Sequence, residues 1–387
     1  MNYKISHPTK AVNCEIDLPS SKSISNRLLI IQALCKEEFE LQNISDSDDT
    51  KCLQRALLSK ENTIDVGHAG TSFRFLTSYL SIQNGDEFIL TGSDRMKERP
   101  IKELVDSLKE LDAEIEYIEE ENFPPLKIKG VKLRGKRIKI DGSVSSQFIS
   151  SILLVSPTIK GGLEIEIKGD LVSKPFVLMT LKLMSEFGVN WDWTENKIKI
   201  VEQNYLSEKY KVESDWSAAT FWFQIASLSD NCNIKLNGLA ENSIQGDKKV
   251  RNFFKNLGVE SEFVNNQLIL TKIPERTFPE KVDLIETPDV YPSLKCTLFV
   301  KRISTEISGI QTLKDKETNR ISAVENEMKK LHQSKIIETY NDHRMAMSFA
   351  PLCLKYGKLQ INNAEVVSKS YPNFWEDLKK GGFKISF

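Results

Sequence analysis

The sequence predicts an α/β fold assembled from a repeated unit, and three observations carry that prediction. Apolar residues at helical spacing are followed by a glycine and then by two short alternating stretches, and this order recurs along the chain. The 387 residues exceed one domain of roughly 150 residues, so two or three domains are expected. No low-complexity linker separates the copies, so any division is made by short crossings.

Taken in order, a weak first copy ends near Leu58. The second runs from the helix Leu104 to Leu111 through Ala113 to Tyr117 and Leu126 to Lys129. The third has a helix from Val177 to Phe187, then Gly188, then Val189 to Trp193 and Lys197 to Ile200. The fourth has Val250 to Leu257, Gly258, Val259 to Val264 and Gln267 to Leu270. Glycine past a helix suits a left-handed C-cap, and Thr194-Glu-Asn196 and Asn265-Asn266 read as hairpin turns. Weak fifth and sixth copies end near Leu331 and Gly381. The fifth is truncated: only His332 to Asn341 separate its helix from Asp342, too little for a hairpin. One unit cannot bury its own apolar face, so the copies must pack on one another.

Composition narrows the function. Lys plus Arg number 53 and Asp plus Glu 54, giving a net charge of −1, which argues against nucleic acid as a partner. No apolar run approaches the length of a membrane span. Met1 to Lys22 lacks the apolar core of a secretion signal. Six separated cysteines without C-x-x-C suggest reduced thiols in a cytoplasmic protein. The four histidines form no metal-binding pair, so no metal is expected.

Several segments place hydroxyls and cations where helices should begin. Pro19-Ser-Ser-Lys22-Ser23-Ile-Ser-Asn-Arg27, Gly67-His68-Ala-Gly70-Thr71-Ser-Phe-Arg74 and Ser143-Val-Ser145-Ser146-Gln147 each precede an apolar run. A helix start with free N–H groups favours phosphate or carboxylate, although serine and threonine also serve as plain caps. Arg95, Lys97 and Arg99 are expected on one side of an extended strand before Pro100, with Arg95 and Lys97 read as a solvated basic edge. Lys316 and Arg320 are expected on one face of the helix that continues to Leu331, where like charges call for a bound anion. Asp342-His343-Arg344 opens a further helix, with a surface ion pair between Asp342 and Arg344 as the simplest reading.

Together these segments, with Met96-Lys-Glu-Arg99-Pro100, Lys168-Gly-Asp-Leu-Val-Ser173-Lys-Pro175, Lys316-Glu317-Thr-x-Arg320, Tyr340-Asn-Asp342-His343-Arg344-Met-Ala-Met347 and Lys369-Ser-Tyr-Pro372, resemble the EPSP synthase (3-phosphoshikimate 1-carboxyvinyltransferase) family. They follow the family's order from residue 19 to residue 372. The resemblance implies a two-domain inside-out α/β barrel of six βαβαββ copies. It also implies a reaction joining shikimate 3-phosphate and phosphoenolpyruvate with loss of phosphate, in a monomer, with no cofactor or metal. The chain is expected to cross between halves near Pro19-Ser20 and Ser214-Asp215, giving residues 20–214 as one domain and 1–19 with 215–387 as the other.

Carried over residue by residue, the resemblance assigns the shikimate carboxylate to Ser23 and Arg27, its phosphate to Ser145, Ser146 and Ser173, and its ring to Gln147. Lys22, Gly70, Arg99 and Lys369 would surround the phosphate of phosphoenolpyruvate, with Gln147 close by; Arg320 and Arg344 would hold its carboxylate. Asp289 would take the proton of the 5-hydroxyl, Lys316 would bind that hydroxyl, and Glu317 and Lys22 would manage the proton at the methylene carbon. The sequence departs from the family at His68, Phe176, Thr312 and Asn319. Two alternatives stand beside this reading. One is transfer of enolpyruvyl to UDP-N-acetylglucosamine, whose enzymes carry a loop cysteine that no cysteine here matches. The other is a non-catalytic homologue, motivated by the truncated fifth copy.

Overall fold

Residues 1–386 are described by a computed structural model. The chain divides into two compact units: Lys22–Val212, and Met1–Ser21 together with the residues from Glu213 onward.

The unit Lys22–Val212 has two four-stranded sheets. One runs Thr63–Asp65, Glu87–Thr91, Leu126–Lys129, Glu114–Tyr117; the other Trp191–Thr194, Lys197–Ile200, Leu163–Lys168, Arg137–Asp141. Each mixes one parallel pair with a hairpin. Their strands alternate buried and exposed, as in Arg137–Asp141, where Ile138 and Ile140 are buried. The helices Gly70–Ser81 and Ser146–Val155 are instead buried almost all round, which marks them as the interior and the sheets as its wall. Small hydroxyls let these helices approach closely: Ser78 and Ser151 share a hydrogen bond of 2.7 Å, and Thr77 and Ser81 donate back to the carbonyls of Phe73 and Thr77.

The other unit repeats the plan. Its sheets run Ile336–Ile337, Leu359–Ile361, Tyr3–Ser6, Lys384–Ser386 and Val259–Val264, Gln267–Lys272, Asn231–Asn237, Ala11–Asp17. The helices Trp216–Leu228 and His343–Phe349 fill the interior. The unit is discontinuous because Ala11–Asp17 pairs in parallel with Asn231–Asn237 over seven residues. Where the chain leaves and re-enters, Ser20 bridges Ser214, and Ser21 N–H donates to Glu213 O at 2.9 Å.

The hairpin turns form as the residues dictate: Glu195, Asn265 and Asn266 take positive φ, and so do Gly188 and Gly258 past their helices. Between Leu331 and Asp342 only Ile336–Ile337 is a strand, so no hairpin forms there. The same happens after Leu58, which sequence reading did not anticipate. Thr63–Asp65 goes directly into a parallel pairing with Glu87–Thr91. Each unit therefore holds one sheet of two strands, Leu41–Gln42 with Tyr210–Lys211 and Lys281–Asp283 with Glu306–Ser308.

Candidate active site

The residues singled out from the sequence fall into two groups, one in each unit. In Lys22–Val212 the first helix starts at Lys22 and runs to Leu34. Lys22 Nζ donates to Asp49 Oδ2 at 3.0 Å, a partner the sequence did not suggest because it lies 27 residues on. Arg27, one and a half turns later, is 1% exposed. Its guanidinium donates to Thr180 Oγ1 at 2.7 Å, Ser23 O at 2.8 Å, Ser150 Oγ at 3.2 Å and Phe176 O at 3.3 Å. The Phe75 and Phe176 rings lie 5.4 and 5.9 Å from its Cζ. Among the described residues none of these partners is anionic, and burial pulls the group down to about 9. A buried cation held only by neutral dipoles is a site prepared for an anion.

Gly70 opens a twelve-residue helix with no side-chain cap. Arg99 is 7% exposed and packs against it: a Cβ on Gly70 would lie 2.3 Å from Arg99 Nη1. His68 Nδ1 meets the Ser93 hydroxyl at 2.8 Å. The expected extended run of Arg95, Lys97 and Arg99 does not form. Ser93 caps a helical turn, Asp94–Lys97, and Asp94 suits its first position. Arg95 and Lys97 instead pair with Glu98 and Glu119 at the surface. Ser145 caps the helix Ser146–Val155 by accepting from the Gln147 N–H, so plain capping holds there, while Gln147 Nε2 reaches Thr71 Oγ1 at 3.2 Å. Ser173 sits in the left-handed region at φ 57° and its hydroxyl makes no cap bond, although it precedes the helix Lys174–Glu186. A serine held in that strained region with its hydroxyl not spent on capping fits a binding role.

In the other unit everything converges on Arg320, which is 2% exposed. Its Nε donates to Asp342 Oδ2 at 2.6 Å, Nη1 to Asp289 Oδ1 at 2.8 Å, and Nη2 to Glu317 Oε2 at 2.6 Å and Asp342 Oδ1 at 3.3 Å. Glu317 Oε1 in turn meets Lys369 Nζ at 2.7 Å. Arg344 Nη1 donates to Asp289 O at 3.0 Å, with Nη2 3.3 Å from Asp289 Oδ2, and Lys316 Nζ lies 4.0 Å from Asp289 Oδ1. Burial alone would raise Asp289, but Arg344, Lys316 and Arg320 outweigh it and hold the carboxyl well below the usual range. The same carboxylates push Arg320 upward against its own burial.

Two expectations are corrected here. Lys316 and Arg320 do not share a helical face. The helix begins at Arg320, capped by Asn319, and Lys316 is extended at the end of a preceding 3-10 turn. Asp342 and Arg344 form no surface pair. Asp342 is 0% exposed, grips Arg320, and caps its own helix by accepting the Arg344 backbone N–H at 2.8 Å. Asn319, at a departure from the family pattern, keeps the cap. Thr312 leaves a buried hydroxyl without a partner among the described residues.

Asp247 was also missed. It is 3% exposed and accepts from the Ser217 hydroxyl. Its Oδ1 has no hydrogen-bond partner among the described residues. Burial, offset in part by Arg344 and reinforced by Asp289, pushes it up to about 6. Nothing near Asp247 in the sequence signals this; its neighbours arrive from residues 217, 289 and 344.

Comparison with known proteins finds relatives along the whole chain. The sequence matches the family described as EPSP synthase (3-phosphoshikimate 1-carboxyvinyltransferase) over residues 6–59 and 52–378. It is 43% identical over 409 aligned positions to the 3-phosphoshikimate 1-carboxyvinyltransferase of Bacteroides fragilis (strain YCH46), covering 100% of this chain and 99% of that one. The protein of the same name from Vibrio vulnificus is 35% identical, with 96% and 97% covered. A solved EPSP synthase from Acinetobacter baumannii shares the fold with a TM-score of 0.78 at 21% identity, covering 100% of both chains.

Proposed function

The chain belongs to the EPSP synthase family, and on that premise we propose that it transfers the enolpyruvyl group of phosphoenolpyruvate to the 5-hydroxyl of shikimate 3-phosphate, releasing phosphate. The observation that carries this reading is full-length identity of 43% to a curated 3-phosphoshikimate 1-carboxyvinyltransferase. Both substrates are polyanions, and both groups of site residues are rich in cations.

Arg27 and Ser23 take the shikimate carboxylate. Arg27 suits it because its fork matches a carboxylate and no protein anion competes for it. Ser145, Ser146 and Ser173 take the phosphate of shikimate 3-phosphate, with Gln147 along the ring. Lys22, Gly70, Arg99 and Lys369 receive the phosphate of phosphoenolpyruvate, beside Gln147, where lysine acts as a point charge. Arg320 and Arg344 receive its carboxylate.

In the first step the methylene carbon gains a proton, and the 5-hydroxyl oxygen bonds to the adjacent carbon while losing its own proton. In the second, phosphate leaves, a methyl proton is removed, and the double bond returns. Acid and base exchange roles between the steps. Glu317 and Lys22 handle the proton at the methylene carbon, Asp289 takes that of the hydroxyl, and Lys316 orients it. Asp289 and Glu317 also stabilise the cationic character that develops at the substituted carbon. The arginines that hold the substrate carboxylate are those that hold Asp289 low. A carboxylate placed on them offsets their charge and makes Asp289 a better base.

The six cysteines are free thiols, which suits a reducing cytoplasm, and we take the enzyme to act as a monomer without cofactor or metal. The deciding experiment is phosphate release from phosphoenolpyruvate with shikimate 3-phosphate as acceptor, run beside UDP-N-acetylglucosamine. Release only with shikimate 3-phosphate is expected. Release only with the nucleotide sugar, or with neither, overturns the proposal.

A further inference from the structure

A cavity of about 850 Å³ lies in the discontinuous unit, among its residues after Glu213, and is lined by none of the residues assigned to the reaction. That volume falls within the range of small-molecule sites. Its lining is unusual in charge. Lys272, Lys301, Arg302 and Lys355 contribute four cations, against the carboxylates Asp230 and Glu275. Lys355 pairs with Asp230 at 2.7 Å, and Lys301, whose side chain is only 10% exposed, pairs with Glu275. Both carboxylates are then used. Lys272 Nζ donates to Ser227 O at 2.9 Å; among the described residues neither it nor Arg302 has a carboxylate within ion-pair distance, and Glu275 and Asp230 act on Lys272 only from further off. Burial first, then repulsion from Lys301 and Lys355, holds Lys272 below the ordinary lysine range.

Helix ends explain part of this. The helices Trp216–Leu228, Tyr291–Lys301 and Cys353–Tyr356 all terminate here, and each C-terminus favours a cation. Lys272 meets one of those ends at Ser227 O, and Lys301 and Lys355 lie in the last turns of the other two helices. Arg302 is the surplus. It occupies a left-handed cap at φ 57°, and its charge acts on Tyr356. Beside it stand three inclined aromatic rings: Phe299 and His332 have centroids 5.7 Å apart with planes 57° apart, and His332 and Tyr356 5.9 Å with planes 70° apart.

We propose that this cavity is a second ligand site, for a small organic anion whose phosphate or carboxylate meets Lys272 and Arg302 while an aromatic ring packs among Phe299, His332 and Tyr356. Charge and ring are both needed. The cations supply charge-assisted contacts to the anionic group, and the aromatic side chains give the ring an apolar surface against which to pack. Phosphate and carboxylate share this chemistry, so the probes must separate them.

The test is calorimetry on the full chain with phenyl phosphate, benzoate and inorganic phosphate, comparing the parent with Lys272→Gln/Arg302→Gln. The parent should show a binding event for phenyl phosphate or benzoate that is at least tenfold weaker in the variant. Inorganic phosphate should bind the same site at least tenfold more weakly than the better ring probe. KM for both substrates should be unchanged in the variant. Identical isotherms in parent and variant overturn the proposal, as does inorganic phosphate binding as tightly as the ring compounds. Arg302→Gln alone, at an exposed position, gives the same comparison should the double variant fold poorly. The proposal does not depend on the reaction assigned above.

Discussion

Asp342 accepts the Nε–H of Arg320 at 2.6 Å, with 0% of the aspartate and 2% of the arginine exposed. A pair this deep has little net worth compared with an apolar replacement of both partners, but losing one partner leaves a buried charge alone. The same aspartate caps the helix His343–Phe349. One carboxylate therefore orients Arg320 through its side chain and Arg344 through its backbone.

Replacing Asp342 with alanine removes both roles. Asp342→Ala is expected to destabilise the protein by about 3–5 kcal/mol. Asp342→Asn, which retains a capping oxygen, should lose less. Urea unfolding of the two variants checks this, and equal midpoints would show that the cap and the pair contribute little.

Arg27 is the reverse case, because among the described residues no carboxylate pairs with it. Arg27→Met should leave the melting temperature unchanged or raise it, since a desolvated charge is removed. Affinity for shikimate 3-phosphate should fall by roughly 1.5–3 kcal/mol, the worth of a charged hydrogen bond. Differential scanning calorimetry and titration with the substrate measure the two effects separately.

At Gly70 the backbone is helical, so alanine there strains nothing locally and favours the helix by up to about 1 kcal/mol. Its Cβ would nonetheless meet Arg99 Nη1 at 2.3 Å and force that guanidinium to move. Gly70→Ala is expected to keep its stability and to raise KM for phosphoenolpyruvate several-fold, with little change for shikimate 3-phosphate. Steady-state kinetics with each substrate varied in turn would expose an unaffected phosphoenolpyruvate KM.

Asp247 gives a pH dependence. Its carboxyl stands at about 6 in the folded protein against an ordinary 3.8, so the folded state binds its proton more tightly. The stability this contributes is present below pH 4 and is lost as pH rises through 6. A difference near two units corresponds to about 3 kcal/mol. Asp247→Asn should therefore be more stable than the parent by up to that amount above pH 6, and the gap should close towards pH 4. Urea midpoints measured across that range decide it; a constant gap would mean that Asp247 titrates normally.

Much of the site was legible because its residues lie in contiguous runs. Ser145 at its helix start, the helix after Asp342 and the left-handed asparagines at 265 and 266 all follow from local chemistry. What could not be read is the pairing across long sequence gaps. Asp49 on Lys22, and Asp289 and Asp342 on Arg320, are separated by 27, 31 and 22 residues. The strand expected at Arg95 to Arg99 failed for a local reason that alternation ignores: Ser93 and Asp94 are a helix start. Lys316 failed likewise, because Asn319 sets where the helix begins.

The parallel pairing of Ala11–Asp17 with Asn231–Asn237 also sets a timetable for biosynthesis. The first strand emerges from the ribosome long before its partner exists, and at about 5–20 residues per second the wait is roughly 10–40 s. Throughout that interval the nascent chain carries an unmatched strand with buried-type residues Val12 and Ile16, while the whole of the other compact unit, Lys22–Val212, is made behind it. A polypeptide released or cleaved before Asn231 would keep that strand unsatisfied, so early termination products should be the form most prone to capture by chaperones.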